Sequence, residues 1–254
     1  MSNERESRGL NVGLNVGSIL RQVLRRPHPE PPVTPGKFAL EELRRLQGKP
    51  DPVILEIGCN DGMHTLQFLR LFEGARVYAF EPDDRARKRF EAAVHDARVQ
   101  LFATAVGATD GVTAFYPSDG APDAEWAERL PDGWDMSGSI LPPKKHLEFH
   151  PWCRFGPSVE VAITRLDTWA RTHAPDGADF IWADVQGAEK DLIAGARETL
   201  QKTRYFYTEY SNLELYAGQT QLVPLLKMLP DFEVVRCYQG DVLLRNKRLA
   251  RQRP

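Results

Sequence analysis

The chain has 254 residues, with 33 lysines and arginines against 35 aspartates and glutamates, so its formal net charge at pH 7 is -2. This balance gives no overall basic field for nucleic acid or an anionic lipid surface, and we expect neither as a partner. No apolar run reaches membrane-spanning length, and the N-terminus lacks the apolar core of a signal peptide. Three widely spaced cysteines predict free thiols and hence a cytoplasmic protein.

Composition divides the chain into an N-terminal appendage, residues 1–35, and one α/β domain, residues 36–254. In the appendage, residues 18–26 predict a basic amphipathic helix for docking, and the prolines of residues 27–32 predict an extended linker. Residues 117–158 interrupt the α/β rhythm of the domain with several prolines and three tryptophans. We expect this insertion to be ordered and to form a lid and acceptor pocket.

The most informative stretch is the apolar segment 53–57, followed by a glycine-containing turn and a helical pattern at residues 63–71. This order is typical of the first unit of an open α/β sheet. In the turn, Gly58 and Gly62 allow close approach of the backbone to a ligand, which helix-start amides can bind.

The same turn departs from the dinucleotide-binding pattern. Asn60 stands where that pattern has its second glycine. Glu56 would repel a pyrophosphate and favours a cationic ligand, for which S-adenosylmethionine is the natural candidate. Taken alone, the turn fits a structural corner between strand and helix equally well.

A second strand is predicted at residues 76–80 and ends in Glu81 and Pro82. An acid in this place accepts hydrogen bonds from the hydroxyl groups of a ribose, and Glu81 follows Gly58 by about the 20 residues that this role requires. The alternative role, capping the next helix, is already filled by Asp83. The combination of glycine turn and acid predicts an adenosine-type ligand.

A third strand at residues 99–103 leads to Ala105 and Val106. Small residues at this strand end would let an adenine ring lie against the backbone, although a packed turn fits them equally well.

Two more acids end predicted strands: Asp184 after residues 179–183 and Glu209 after residues 205–208. Ligands of open α/β sheets lie outside the carboxyl ends of the strands. We therefore expect both carboxylates to share the cleft that Gly58 enters, as catalytic candidates. Helix capping and solvated turns are the alternatives. His150, with His146 close by in the insertion, is a third candidate, although histidines of surface loops are often incidental.

Five motifs occur in order between residues 50 and 210. They are Glu-Ile-Gly-Cys-Asn-Asp-Gly (56–62), Phe-Glu-Pro (80–82), Ala-Val-Gly (105–107), Thr-Arg-Leu-Asp-Thr-Trp (164–169) and Asp-Val-Gln-Gly-Ala-Glu (184–189). Together they resemble the FkbM-type S-adenosylmethionine-dependent methyltransferases. The resemblance implies a class I methyltransferase fold, a Rossmann-like, mostly parallel seven-stranded sheet with helices on both faces and an antiparallel last strand. It also implies methylation of hydroxyl groups on sugars, glycans or secondary metabolites. Gln186 stands where the family usually has glutamate, a departure that bears on the acceptor side.

A hydroxyl acceptor must lose its proton during methyl transfer, so a base is needed. We expect Asp184 to serve, with Glu209 or His150 as alternatives, because burial beside another carboxylate raises the pKa of a carboxyl group. A divalent cation held by Asp184 and Glu209 is a less favoured expectation. The alternative functions are methylation of a protein or other macromolecule, silent adenosine binding and NAD-dependent oxidoreduction.

Overall fold

The computed structural model describes residues 30–250. The helix predicted at residues 18–26 lies outside this range. In chain order the strands are β1 (Val53–Ile57), β2 (Arg76–Phe80), β3 (Val99–Phe102), β4 (Ala105–Val106), β5 (Gly111–Phe115), β6 (Ser118–Gly120), β7 (Cys153–Phe155), β8 (Val159–Thr164), β9 (Phe180–Ala183), β10 (Tyr205–Glu209), β11 (Phe232–Cys237) and β12 (Asp241–Asn246).

Short helices connect these strands. They are α1 (Leu40–Gln47), α2 (Met63–Leu71), α3 (Asp84–Ala93), α4 (Ala124–Arg129), α5 (His146–Phe149), α6 (Leu166–His173), α7 (Glu189–Gly195), α8 (Arg197–Gln201), α9 (Leu222–Lys227) and α10 (Lys247–Ala250). The expected cap of α3 is confirmed, because Oδ1 of Asp83 accepts a hydrogen bond from the Arg85 amide at 2.9 Å.

Seven strands form the central sheet, in the order β11-β12-β10-β9-β1-β2-β3. Strands β10, β9, β1, β2 and β3 run parallel to one another, whereas β12 pairs antiparallel with both β10 and β11. The last strand therefore inserts between β10 and β11, and β11 forms the edge. The fold class predicted from the sequence, including the antiparallel last strand, is confirmed.

Alternation along β1 divides its side chains between two cores. Leu55 and Ile57 pack with Phe80 and Leu166 on one face of the sheet. Ile54 packs with Phe68 of α2 and its neighbours on the other face. Burying a side chain of this size contributes about 1.5–3 kcal/mol, so both layers hold the sheet in register. Because the period is two residues, Glu56 faces the α2 layer together with Ile54.

The segments around and within the insertion form two small sheets beside the central one. Strands β4, β8 and β5 make a three-stranded sheet, and β6 pairs with β7. The segment after β9 forms two short helices, α7 and α8, that follow each other directly. At the end of α7 the backbone lies close to the loop after β4, because a Cβ atom on Gly195 would lie 1.9 Å from the carbonyl oxygen of Gly107.

Candidate active site

A cleft lies at the carboxyl ends of β1, β2 and β9 and is open to solvent at its mouth. Ligands of open α/β sheets occupy this place. Its walls come from the β1–α2 turn, the end of β2, the start of β4, the end of β9 and residues 135–140 of the insertion.

Of the cofactor residues predicted from sequence, six line this cleft. They are Gly58, Asn60, Glu81, Pro82, Ala105 and Val106. Ala105 and Val106 are buried and form β4, which pairs with Ile163 and Thr164 of β8. Their backbone is thereby fixed as a flat wall of the cleft.

Glycine is required at position 58 for a structural reason that the sequence did not indicate. Its φ is +83°, and a Cβ atom there would lie 1.8 Å from the carbonyl oxygen of Asp184. The glycine therefore lets the ends of β1 and β9 approach each other. Gly62 does not line the cleft. A Cβ at Gly62 would lie 2.6 Å from Val94 and 2.8 Å from Phe90, so this glycine serves the packing of α3.

Glu56 does not reach the cleft either. The alternation of β1 turns it into the α2 layer, where it is fully buried and accepts a hydrogen bond from the hydroxyl group of Thr65. Burial raises the pKa of Glu56 to about 8, so the side chain is largely neutral at pH 7. The predicted role of Glu56 as a charged contact for a cationic ligand is therefore not supported by its placement.

Glu81 lies at the end of β2 with its carboxyl group directed by two backbone amides. Oε2 accepts a hydrogen bond from the Asn60 amide at 3.0 Å, and Oε1 accepts one from the Asp83 amide at 2.8 Å. Burial raises the pKa of Glu81 to about 7, against the lowering effect of these amides. A carboxylate has about four acceptor positions, so two remain for ligand hydroxyl groups.

Asp184 and Glu209 lie side by side, as predicted. The pairing of β9 with β10 aligns Ala183 with Thr208, which brings the next residue of each strand together. Both side chains accept a hydrogen bond from the same donor, Nε2 of Gln186. Asp184 lines the cleft, whereas Glu209 lies behind it.

The acidity of this carboxyl pair is strongly shifted. Burial raises the pKa of Asp184, and burial together with the charge of Asp184 raises the pKa of Glu209 well above its ordinary value. The negative charge of Asp241 in β12 raises the pKa of both groups further. Each of two adjacent buried carboxyl groups opposes the ionisation of the other.

Gln186 holds the carboxyl pair from the insertion side. Its Nε2 donates to Asp184 Oδ1 at 2.6 Å and to Glu209 Oε2 at 3.3 Å. The Tyr216 hydroxyl lies 3.0 Å from Gln186 Oε1, and Ser139 Oγ donates to the Gln186 carbonyl at 2.8 Å. Gln186 has a φ of +48°, a strained value for this residue type that these contacts maintain.

His150 lies outside the cleft lining. Its ring packs 4.8 Å from the ring of His146 and 5.7 Å from that of Trp152, within an aromatic cluster of the insertion. His146 is buried against Phe155 and Tyr216, and burial lowers its pKa to about 4, so it is neutral at pH 7. Neither histidine therefore lines the cleft that Asp184 faces.

Sequence reasoning missed Asp135, a cleft residue of the insertion. Its carboxyl group is fully buried and pairs with Arg89 of α3 at 2.5 Å. It also accepts a hydrogen bond from Asn60 Nδ2 at 3.2 Å. No motif surrounds Asp135, and its partners are distant in sequence. Only the tryptophan-rich character of the insertion indicated that this segment is ordered.

Within residues 30–250, no three histidine, cysteine, aspartate or glutamate side chains converge as metal ligands. None of the helices within these residues is long and apolar enough to cross a bilayer.

The order of the sheet, with its antiparallel strand between two others, and the cleft at its carboxyl edge define the class I methyltransferases. The family described as "Methyltransferase FkbM domain" matches residues 56–239. The chain belongs to this family, and it is therefore an enzyme that takes S-adenosylmethionine as its cofactor. The resemblance noted in the sequence is confirmed.

A curated relative and two solved structures can be compared with the chain. The 2-O-methyltransferase NoeI of Sinorhizobium fredii (strain NBRC 101917 / NGR234) is 48% identical over 206 residues, which cover 79% of this chain and 82% of NoeI. The N-methyltransferase NodS from Bradyrhizobium japonicum WM9 gives a TM-score of 0.44 at 11% identity, covering 82% of this chain and 92% of NodS. Aeropyrum pernix fibrillarin with natively bound S-adenosyl-L-methionine gives 0.39 at 15% identity, covering 80% and 73%.

Proposed function

We propose that this enzyme transfers the methyl group of S-adenosylmethionine to a hydroxyl group of a sugar or glycan. The observation that carries the proposal is the adjacent placement of the carboxyl groups of Asp184 and Glu209 at one end of the cleft, because a hydroxyl acceptor needs a base. We propose that the two groups share one proton and that the ionised one is this base. The 2-O-methyltransferase activity in the name of NoeI, 48% identical over most of both chains, supports an oxygen acceptor.

The donor is proposed to lie along the β1, β2 and β4 side of the cleft. Glu81 receives the ribose hydroxyl groups on the acceptor positions that its two amide contacts leave free. The wall formed by Ala105 and Val106 receives the adenine ring. The turn at Gly58 then directs the sulfonium end towards Asp184, whose carbonyl lies against that glycine.

In the proposed reaction the acceptor oxygen attacks the methyl carbon in line with the carbon–sulfur bond. The bond to sulfur breaks, its electron pair stays on sulfur, and S-adenosylhomocysteine leaves. The hydroxyl proton passes to the carboxylate of Asp184, which faces the cleft. Glu209 carries the shared proton and stabilises that carboxylate from the adjacent position. Holding both reactants in this geometry supplies much of the rate.

The acceptor is proposed to enter from the side of the insertion, residues 117–158, which contributes one wall of the cleft. A metal-free reaction is part of the proposal, because the pair Asp184 and Glu209 already supplies the base. The expectations of a cytoplasmic protein without a nucleic-acid partner also stay predictions.

The test is transfer of labelled methyl from S-adenosylmethionine to a panel of mono- and oligosaccharides, with the methylated atom assigned by NMR. Label on a sugar oxygen supports the proposal. Label on protein alone would favour the macromolecular alternative. Calorimetric binding of S-adenosylmethionine without transfer to any acceptor would favour a silent adenosine-binding module, and tight NADH binding without S-adenosylmethionine binding would favour an oxidoreductase.

A further inference from the structure

The insertion crosses the cleft and is fixed on both sides of it. At the donor side, Asp135 contacts Asn60 and Arg89. At the side of the carboxyl pair, the Ser137 carbonyl accepts a hydrogen bond from the Tyr216 hydroxyl at 2.8 Å, and Ser139 donates to the Gln186 carbonyl. The segment 135–139 therefore joins the two halves of the site.

Asp135 is linked to the proposed ribose site through Asn60, whose side-chain oxygen also accepts a hydrogen bond from Arg89 Nη2 at 3.4 Å. Oδ1 of Asp135 accepts from the Asn60 side chain, while the Asn60 main-chain amide donates to Glu81 Oε2 at 3.0 Å. Asn60 has a φ of +46°, in the left-handed region that asparagine tolerates better than most residues. The side-chain contact to Asp135 anchors Asn60 in this conformation and so fixes the direction of the amide that holds Glu81.

Both carboxyl oxygens of Asp135 are in use. Oδ2 accepts from Arg89 Nη2 at 2.5 Å, and Oδ1 accepts from Asn60. An asparagine side chain there has one acceptor oxygen for two donors, so it cannot hold both partners. The buried position leaves no water to replace the missing contact, because the side chain of Asp135 is 0% exposed.

We propose that Asp135 is a positioning residue for the methyl donor, which acts through Asn60 to hold the carboxylate of Glu81 in the geometry that binds the ribose hydroxyl groups. The proposal rests on the donor placement proposed above. It assigns to the acceptor-side insertion a part in donor binding, exerted through Asn60. Loss of Asp135 lowers the contribution of the ribose hydroxyl groups to affinity, and leaves the contribution of the adenine ring in place.

The test compares calorimetric affinities for S-adenosylhomocysteine and for its 2′,3′-dideoxy analogue at pH 8, where Glu81, with a pKa of about 7, is mostly ionised. Their ratio, the ribose preference, isolates the hydroxyl contacts from a general loss of binding. We expect D135N to lower the ribose preference about tenfold, as E81Q does, and the double variant to lose no more than either single variant. E198Q, which removes an exposed acid paired with Arg171, is the matched control and keeps the wild-type ratio.

Two outcomes would overturn the proposal in different ways. If E81Q lowers the ribose preference and D135N does not, Asp135 has no positioning role although the donor placement stands. If E81Q also leaves the ratio unchanged, the ribose does not lie on Glu81, and the donor placement falls together with the role of Asp135.

A second variant keeps the test decisive if D135N does not fold, as judged by thermal unfolding. Asn60→Gly keeps the main-chain amide and tolerates the positive φ, but loses the side chain that Asp135 holds. We expect the same loss of ribose preference in this variant, and an unchanged ratio would overturn the proposal.

Discussion

Replacing Asp184 with asparagine tests the assignment of the base. The substitution keeps the shape of the side chain and its hydrogen-bonding capacity towards Glu209 and Gln186, so the end of β9 should keep its structure. It removes the group that accepts the hydroxyl proton. General bases contribute about 10²–10⁴-fold to rate, which corresponds to about 3–5 kcal/mol of transition-state stabilisation. We expect kcat to fall by that factor.

The assay is steady-state methyl transfer to an accepted sugar, with calorimetric titration of S-adenosylhomocysteine as the control for the donor site. Binding should change by less than about threefold, because the base acts on the acceptor. Glu209→Gln is the matched variant. It keeps a hydrogen-bond donor behind Asp184 and should retain activity within about tenfold. Full turnover by D184N, or a larger loss in E209Q than in D184N, would refute the assignment.

The pH dependence of the wild-type enzyme follows from the same pair. Burial raises the pKa of Asp184, and the base must be ionised, so kcat should fall as pH drops through this raised pKa. The acid limb should therefore lie above the value of about 3.9 that is usual for aspartate. An acid limb at or below that value would contradict the shared proton.

Three other predictions concern the fold and the metal. E56Q should flatten the dependence of the free energy of unfolding on pH between 4.5 and 8. Glu56, with a pKa of about 8 in the folded state, holds its proton more tightly there than in the unfolded chain, so the native state loses roughly 1.4 kcal/mol per pH unit as pH rises through this window. Urea unfolding at several pH values measures this slope, and an unchanged slope in E56Q would contradict the pKa shift. G58A should be far more destabilising than G240A in thermal unfolding. Both glycines have a positive φ, but only a Cβ atom on Gly58 would collide with backbone, 1.8 Å from the carbonyl oxygen of Asp184. Equal losses of stability in the two variants would contradict the packing argument. Dialysis against a chelator should leave methyl transfer unchanged, whereas loss that magnesium restores would show that Asp184 and Glu209 hold a cation.

The sequence predicted the first strand–helix–strand unit of the sheet closely. The bounds of β1, α2 and β2 agree with the apolar patterns, because buried parallel strands and the helices that cover them are continuous and strongly patterned. The pairing of Asp184 with Glu209 was also predictable, because parallel neighbours bring their carboxyl ends together.

Other features depended on contacts between distant segments. Glu56 was expected to face a cationic ligand because of its charge. The alternation of side chains along β1 instead places Glu56 on the same face as Ile54, away from the cleft. Glycine is required at position 58 because the carbonyl group of Asp184, more than a hundred residues later in the chain, leaves no space for a side chain. The role of Asp135 depends on the path of the insertion over α3, which no local pattern determines.

A structure of the enzyme with S-adenosylhomocysteine would show where the donor lies. We expect both ribose hydroxyl groups within hydrogen-bonding distance of the Glu81 carboxylate and the sulfur atom turned towards Asp184, with room for an acceptor oxygen between them. A ligand bound outside this cleft, or one whose sulfur faces away from the carboxyl pair, would contradict this expectation.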